Sequence, residues 1–192
     1  MTDSAVGGRM AKGVRDARTV PQGTDDAVVP APARRGEAPD DEAPDGEAPD
    51  AAELERAERF CREILPAASR TFAIGIRALP GTLGRAVLAS YLICRVADTV
   101  EDERSIPADG KAELLDRLLE CLDDRTAAAR FAALVPELEG DADHARLVRH
   151  APDVFAVYHA LPAATRRPVR RWVTEMVTGM RAFVLRYPHG IR

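Results

Sequence analysis

The stretch GRAVLASYLICRVADTVEDE, residues 84–103, opens apolar and closes on a cluster of carboxylates. Within it Arg95, Asp98 and Asp102 fall at i, i+3 and i+7, which puts all three on one face of an α-helix. Glu101 points away from that face. Two aspartates at i and i+4 repel by roughly 0.2–0.5 kcal/mol on an exposed helix. Four acids (Asp98, Glu101, Asp102 and Glu103) gather at the helix end where the dipole favours cations. A segment that breaks local rules with no structural gain marks a candidate functional site. The chemistry that suits it is a hard divalent cation: Mg²⁺ takes oxygen ligands, keeps several waters and binds through one or two carboxylates plus substrate phosphates. Asp98 and Asp102 can supply the carboxylates, and Arg95 can pair with a phosphate oxygen. The competing reading is a solvated acidic helix end, with Arg95 paired to an aspartate across one turn.

Outward from this stretch the pattern is helical on both sides. Ala51 to Leu65 carries Leu54, Ala57, Phe60, Cys61 and Ile64 on one face, and Pro66 is expected to interrupt it. A short helix over Ser69 to Leu79 has Ser69 as its N-cap, and Leu79-Pro80-Gly81-Thr82 reads as a turn. Beyond the motif helix, limited by Pro107, follow helices over Lys111–Leu122 and Ala127–Val135. A segment Ala142–Leu161 splits near Pro152. A last helix over Thr165–Tyr187 has Pro168 in its first turn. No strand or hairpin pattern is present, so the fold class is all-α. Asp141 and Asp143 sit in a loop-like stretch, and Asp153 stands alone.

Residues 1–50 differ in kind. They hold few bulky apolar side chains and repeat Glu-Ala-Pro-Asp at 37–40, 42–45 and 47–50. They cannot bury enough apolar surface to offset ordering entropy, so they read as a disordered tail. The tail carries 6 basic and 11 acidic side chains, against 27 and 31 in the whole chain, which leaves residues 51–192 near neutral. No secretory h-region or membrane-length apolar run is present. Cys61, Cys94 and Cys121 are far apart, lack metal spacing and read as buried free thiols of a reducing cytoplasm. The four histidines form no ligand cluster.

The residues from Ser69 to Glu103 resemble the opening signature of the squalene and phytoene synthase family. Ser69, Arg70, Thr71 and Phe72 match a Ser-Arg-Ser/Thr-Phe box. A Leu-Pro turn follows, and Tyr91, Arg95, Asp98, Thr99, Glu101 and Asp102 match the family's Tyr-Leu-x-x-Arg-x-x-Asp-Thr-x-Glu-Asp helix. The Asp-Thr-Val-Glu-Asp form is more like squalene-forming members than phytoene or dehydrosqualene synthases. The resemblance implies an isoprenoid synthase helical bundle and Mg²⁺-dependent, head-to-head condensation of two prenyl diphosphates. Farnesyl diphosphate is the expected substrate, with NADPH as reductant for a true squalene synthase. It further implies that Asp98 and Asp102 hold metal, that Ser69, Arg70, Tyr91 and Arg95 bind the substrate diphosphate, and that Phe72, Met176, Gly179 and Met180 line the pocket for the isoprenoid tail.

Met176, Val177, Met180, Phe183 and Val184 also form an ordinary core stripe, and Gly179 within it costs about 1 kcal/mol against Ala. Arg166, Arg167, Arg170, Arg171, Arg181 and Arg186 on the same helix read as a solvated basic face, with peripheral contact to an anionic membrane surface as the alternative. No nucleic-acid motif accompanies them. The family's second aspartate-rich motif and its catalytic tyrosine region find no match after Glu103, so no catalytic residue is assigned. The sequence reads as the N-terminal portion of a longer synthase, expected to be inactive by itself. The rival from another class is a non-catalytic helical remnant or partner-dependent module, whose mark would be exposed apolar helix faces.

Overall fold

The apolar spacing along residues 51–186 builds eight helices, described by a computed structural model for residues 49–188. They are α1 (Ala51–Ala68), α2 (Arg70–Arg77), α3 (Gly81–Asp102), α4 (Ala108–Glu120), α5 (Ala127–Leu134), α6 (Ala142–Arg149), α7 (Ala151–His159) and α8 (Ala163–Arg186). No strand occurs among the described residues, as the all-α expectation requires. The disordered-tail reading of residues 1–50 lies outside the described residues except at Pro49 and Asp50. Asp50 belongs to the folded part: its side chain caps α1 by accepting from the Glu53 N–H at 2.7 Å.

Pro66 does not interrupt α1, which runs on to Ala68. Proline in a helix interior strands the carbonyl four residues back. Here that carbonyl belongs to Arg62, and it accepts a hydrogen bond from the Arg77 guanidinium of α2 at 3.3 Å. A side chain from the next helix thus replaces the missing backbone donor. Ser69 then ends α1 and caps α2, its Oγ accepting from the Phe72 N–H at 3.3 Å. The turn into α3 relies on Gly81, whose φ of 52° is a left-handed value that side chains resist. A Cβ at Gly84 would fall within contact distance of the Leu79 carbonyl oxygen, so the start of α3 can lie against the turn only with glycine there. The motif helix therefore begins three residues before Gly84, and α8 begins at Ala163. Pro168 falls beyond the first turn of α8 instead of inside it.

α3 is the central element, packing against α1, α2, α4, α6, α7 and α8. Its buried set, including Leu88, Leu92, Ile93, Val96 and Val100, fills the middle of the bundle. Each such side chain contributes about 1.5–3 kcal/mol on burial. Phe155 and Tyr158 of α7 and Phe131 of α5 complete the core. Cys61 and Cys121 are buried free thiols, whereas Cys94 is only half-buried, since it sits at the border between the core side of α3 and its polar face. With so much of its circumference covered, α3 leaves one narrow polar face, and the motif residues occupy it.

Candidate functional site at the end of the third helix

Arg95 sits about two turns before the end of α3 and is held by two acceptors. Its Nη1 donates to Asp98 Oδ2 at 3.1 Å, and its Nη2 lies 3.0 Å from His144 Nε2 on α6. Its Nε is buried with no partner among the described residues. Burial pushes the Asp98 carboxyl above its usual range and neighbouring Asp102 adds to this, against the opposing pull of Arg95 and His144. Burial, then Asp102 and Asp98, likewise raise Glu101. The acids at this helix end therefore carry an electrostatic cost that Arg95 offsets only in part, with Asp102 exposed beside them. One cation relieves part of it: Lys111 Nζ donates to the Glu101 carbonyl, supplying positive charge where the helix dipole is negative.

Glu103 behaves differently from the other acids. It is 7% exposed, and it ties the end of α3 to the loop before α6. Its Oε1 accepts from the Ser105 N–H and Oγ–H, each at 3.0 Å, and its Oε2 accepts from the Glu139 N–H at 3.1 Å. These donors hold its carboxyl below the usual range, the Ser105 N–H foremost. Asp141 is not a loop residue without a role. It caps α6, its Oδ1 accepting from the N–H groups of Asp143 at 2.9 Å and His144 at 3.1 Å. Asp143 lies in the first turn of α6, and Asp153 is not alone, since its Oδ2 pairs with His150 Nδ1 at 2.8 Å.

Two hollows flank the acid cluster. One, of about 350 Å³, lies between α3 and the 138–145 segment and is bordered by Arg95, Thr99, Asp102, Asp141 and His144. The other, of about 530 Å³, opens beside α8 and is bordered by Glu101, Asp102, Lys111 and Phe183. Asp102 and Arg104 border both. The oxygen donors fit a hard cation held by one or two carboxylates and completed by water and phosphate. Among the described residues no cluster of three or more His, Cys, Asp or Glu could hold a metal by itself.

The other expected site residues lie at varied distances from this cluster. Tyr91 is one turn before Arg95, but its hydroxyl donates to the Ala68 carbonyl at 3.4 Å, and its ring packs against Phe72 at a tilt of 31°, the centroids 5.1 Å apart. Phe72 is thereby brought to the motif helix. Ser69 spends an Oγ lone pair on capping, and Arg70 is exposed at the start of α2. Met176 and Met180 pack partly buried against the core. Gly179 is exposed with no neighbour approaching where a Cβ would stand, so close packing is not its reason among the described residues. His144 and Lys111 went unrecognised in the sequence as members of this cluster, and Glu103 was read as one of its acids but not as a buried tie. For His144 no local signal exists, because its partner is 49 residues away. For Asp141 a cap signal does exist: an Asp directly before a helical pattern.

Residues 65–189 match the squalene/phytoene synthase family. The chain is 37% identical over 126 residues to squalene synthase BSS of Botryococcus braunii, covering 65% of this chain and 26% of that protein. It is 32% identical over 126 residues to lycopaoctaene synthase of the same organism, covering 66% of this chain and 27% of that protein. A solved complex of TcSQS with the ligand E5700 superposes with a TM-score of 0.58 at 32% identity, covering 69% of this chain and 35% of that one. The chain thus spans about a quarter of the length of the curated relatives it matches. The match covers α2 through α8, including the Arg95–Asp98–Asp102 face and the helices that bury the rest of α3, and on these grounds the chain belongs to the squalene/phytoene synthase family.

Proposed function

We propose that this chain forms the first diphosphate-binding wall of a squalene synthase-like enzyme, which joins two farnesyl diphosphates head to head. The observation that carries the reading is the polar face of α3. An otherwise buried helix presents Arg95, Asp98 and Asp102 on one face, with Arg95 and Asp102 bordering a hollow of about 350 Å³ and a buried guanidinium nitrogen lacking a partner among the described residues. The likeness to squalene synthases and to a lycopaoctaene synthase supports a head-to-head reaction.

In this reading Asp98 and Asp102 hold Mg²⁺, and Arg95, assisted by Ser69, Arg70 and Tyr91, donates to the diphosphate oxygens. Bound there, the cation would neutralise charge on the diphosphate as it departs. Arg95 needs only one further hydrogen bond to take part, since its Nε–H has no other partner among the described residues. Phe72, Met176 and Met180 supply apolar surface for the prenyl tail. NADPH serves as reductant if the product is squalene, whereas a phytoene-type product needs none. One carboxylate face gives a leaving diphosphate support from one side only, so the 192-residue chain by itself is expected to bind without turnover.

The test is a thermal shift with Mg²⁺ and a non-hydrolysable farnesyl diphosphate analogue. Stabilisation that requires Mg²⁺ and disappears in Asp98→Ala supports the reading. No shift, or an equal shift in Asp98→Ala, overturns it. Squalene or presqualene diphosphate formed by this chain alone would overturn the expectation of binding without turnover.

A second reading has its own observation. Ile74 is 77% exposed, Trp172 61% and Phe72 59%, an apolar display that suits a helical module completed by another polypeptide. Strong binding of an apolar dye together with no Mg²⁺-diphosphate shift would favour it.

A further inference from the structure

His144 reaches the motif helix from outside it. It stands in the first turn of α6, and its Nε2 lies 3.0 Å from Arg95 Nη2. A guanidinium only donates hydrogen bonds, so Nε2 must be the acceptor and the ring proton must sit on Nδ1. The ring is placed by a relay of short ties. Glu103 fastens Glu139 to the end of α3, and Asp141 caps α6 through the His144 backbone N–H.

This arrangement divides the guanidinium. Asp98 takes Nη1 through Oδ2 alone, and His144 takes Nη2. An arginine facing one carboxylate tends to close into a two-pronged pair that uses both carboxylate oxygens. The hydrogen bond from Nη2 to His144 pulls against that closure, and only Oδ2 is taken. Asp98 Oδ1 then accepts no hydrogen bond from a described residue and stays available to a cation.

We propose that His144, in its Nδ1–H form, is a positioning residue for Arg95: it keeps the guanidinium from collapsing onto Asp98, and so keeps the arginine open to diphosphate and Asp98 open to metal. This rests on the diphosphate reading above. His144 touches neither ligand in this scheme and acts only through Arg95.

The probe is inorganic pyrophosphate with Mg²⁺, titrated calorimetrically into the 192-residue chain. His144→Ala is expected to weaken binding about tenfold, the lower end of what loss of a partner behind a metal ligand costs. His144→Gln, whose carbonyl oxygen can accept from Nη2, is expected to bind within about threefold of the unmodified chain, well inside that range. Unchanged binding in His144→Ala, or an equal loss in both variants, overturns the proposal and leaves the diphosphate reading standing. Absence of pyrophosphate binding in the unmodified chain instead overturns the diphosphate reading. A measurement on the unmodified chain without ligand needs no variant to fold: the imidazole ¹⁵N shifts are expected to show a protonated Nδ1 and an accepting Nε2. The opposite tautomer overturns the proposal whatever the titrations give.

Discussion

Replacing Glu103 with glutamine tests whether the loop before α6 is fastened by a charge. The carboxylate is buried and accepts three hydrogen bonds, two from Ser105 and one from Glu139. Glutamine keeps the shape but offers one acceptor oxygen. That oxygen satisfies Ser105, so the amide NH₂ is turned toward the Glu139 N–H, donor against donor. A hydrogen bond to a charged group contributes about 1.5–3 kcal/mol, and an unsatisfied buried donor costs a similar amount, so a loss of about 2 kcal/mol is expected. For a domain of this size that is a fall in Tm of about 4–8 °C, read by circular dichroism at neutral pH.

The pH dependence carries its own sign. The folded-state carboxyl is held below its ordinary value of 4.5, so its stabilisation is present above that value and is lost as pH falls through the folded one. The gap between the native chain and Glu103→Gln should therefore hold steady above the ordinary value and narrow on acidification. A Tm within about 1 °C of the native chain at neutral pH, well short of that fall, would refute the reasoning. A gap that widens on acidification would refute it equally.

Other substitutions probe other parts of the bundle. Tyr158→Phe should stabilise by about 1 kcal/mol in urea unfolding, because the buried hydroxyl has no partner among the described residues; a loss of stability would reveal an unseen partner. Gly84→Ala should cost about 1–3 kcal/mol, since the new methyl meets the Leu79 carbonyl oxygen and backbone must move; a neutral result would mean the turn yields freely. Burial pushes the thiols up, Cys94 to about 11, Cys121 to about 12 and Cys61 further still. A disulfide reagent at about pH 8, near the ordinary thiol value, should therefore label all three slowly until denaturant is added, and rapid labelling of the native chain would contradict the packing.

The all-α class, most helix positions and the shared face of Arg95, Asp98 and Asp102 followed from the sequence alone. Helical periodicity is a local property, set by side chains three and four residues apart, and it needs no knowledge of neighbours. The Ser69 cap and the split near Pro152 were legible for the same reason: one residue and the backbone beside it suffice. Long-range contacts were not. Pro66 stays inside α1 because Arg77, on another helix, bonds the carbonyl that the proline strands. Glu103 looked like one more acid in a crowded helix end, yet its donors include an N–H 36 residues away, which makes it a buried tie. His144 carried no motif, and only the docking of α6 against α3 brings its ring to Arg95. Sequence spacing determined which side chains share a face. Tertiary packing decided which of them are spent on structure and which stay free for a ligand, because a hydrogen bond between distant residues depends on how helices meet in space.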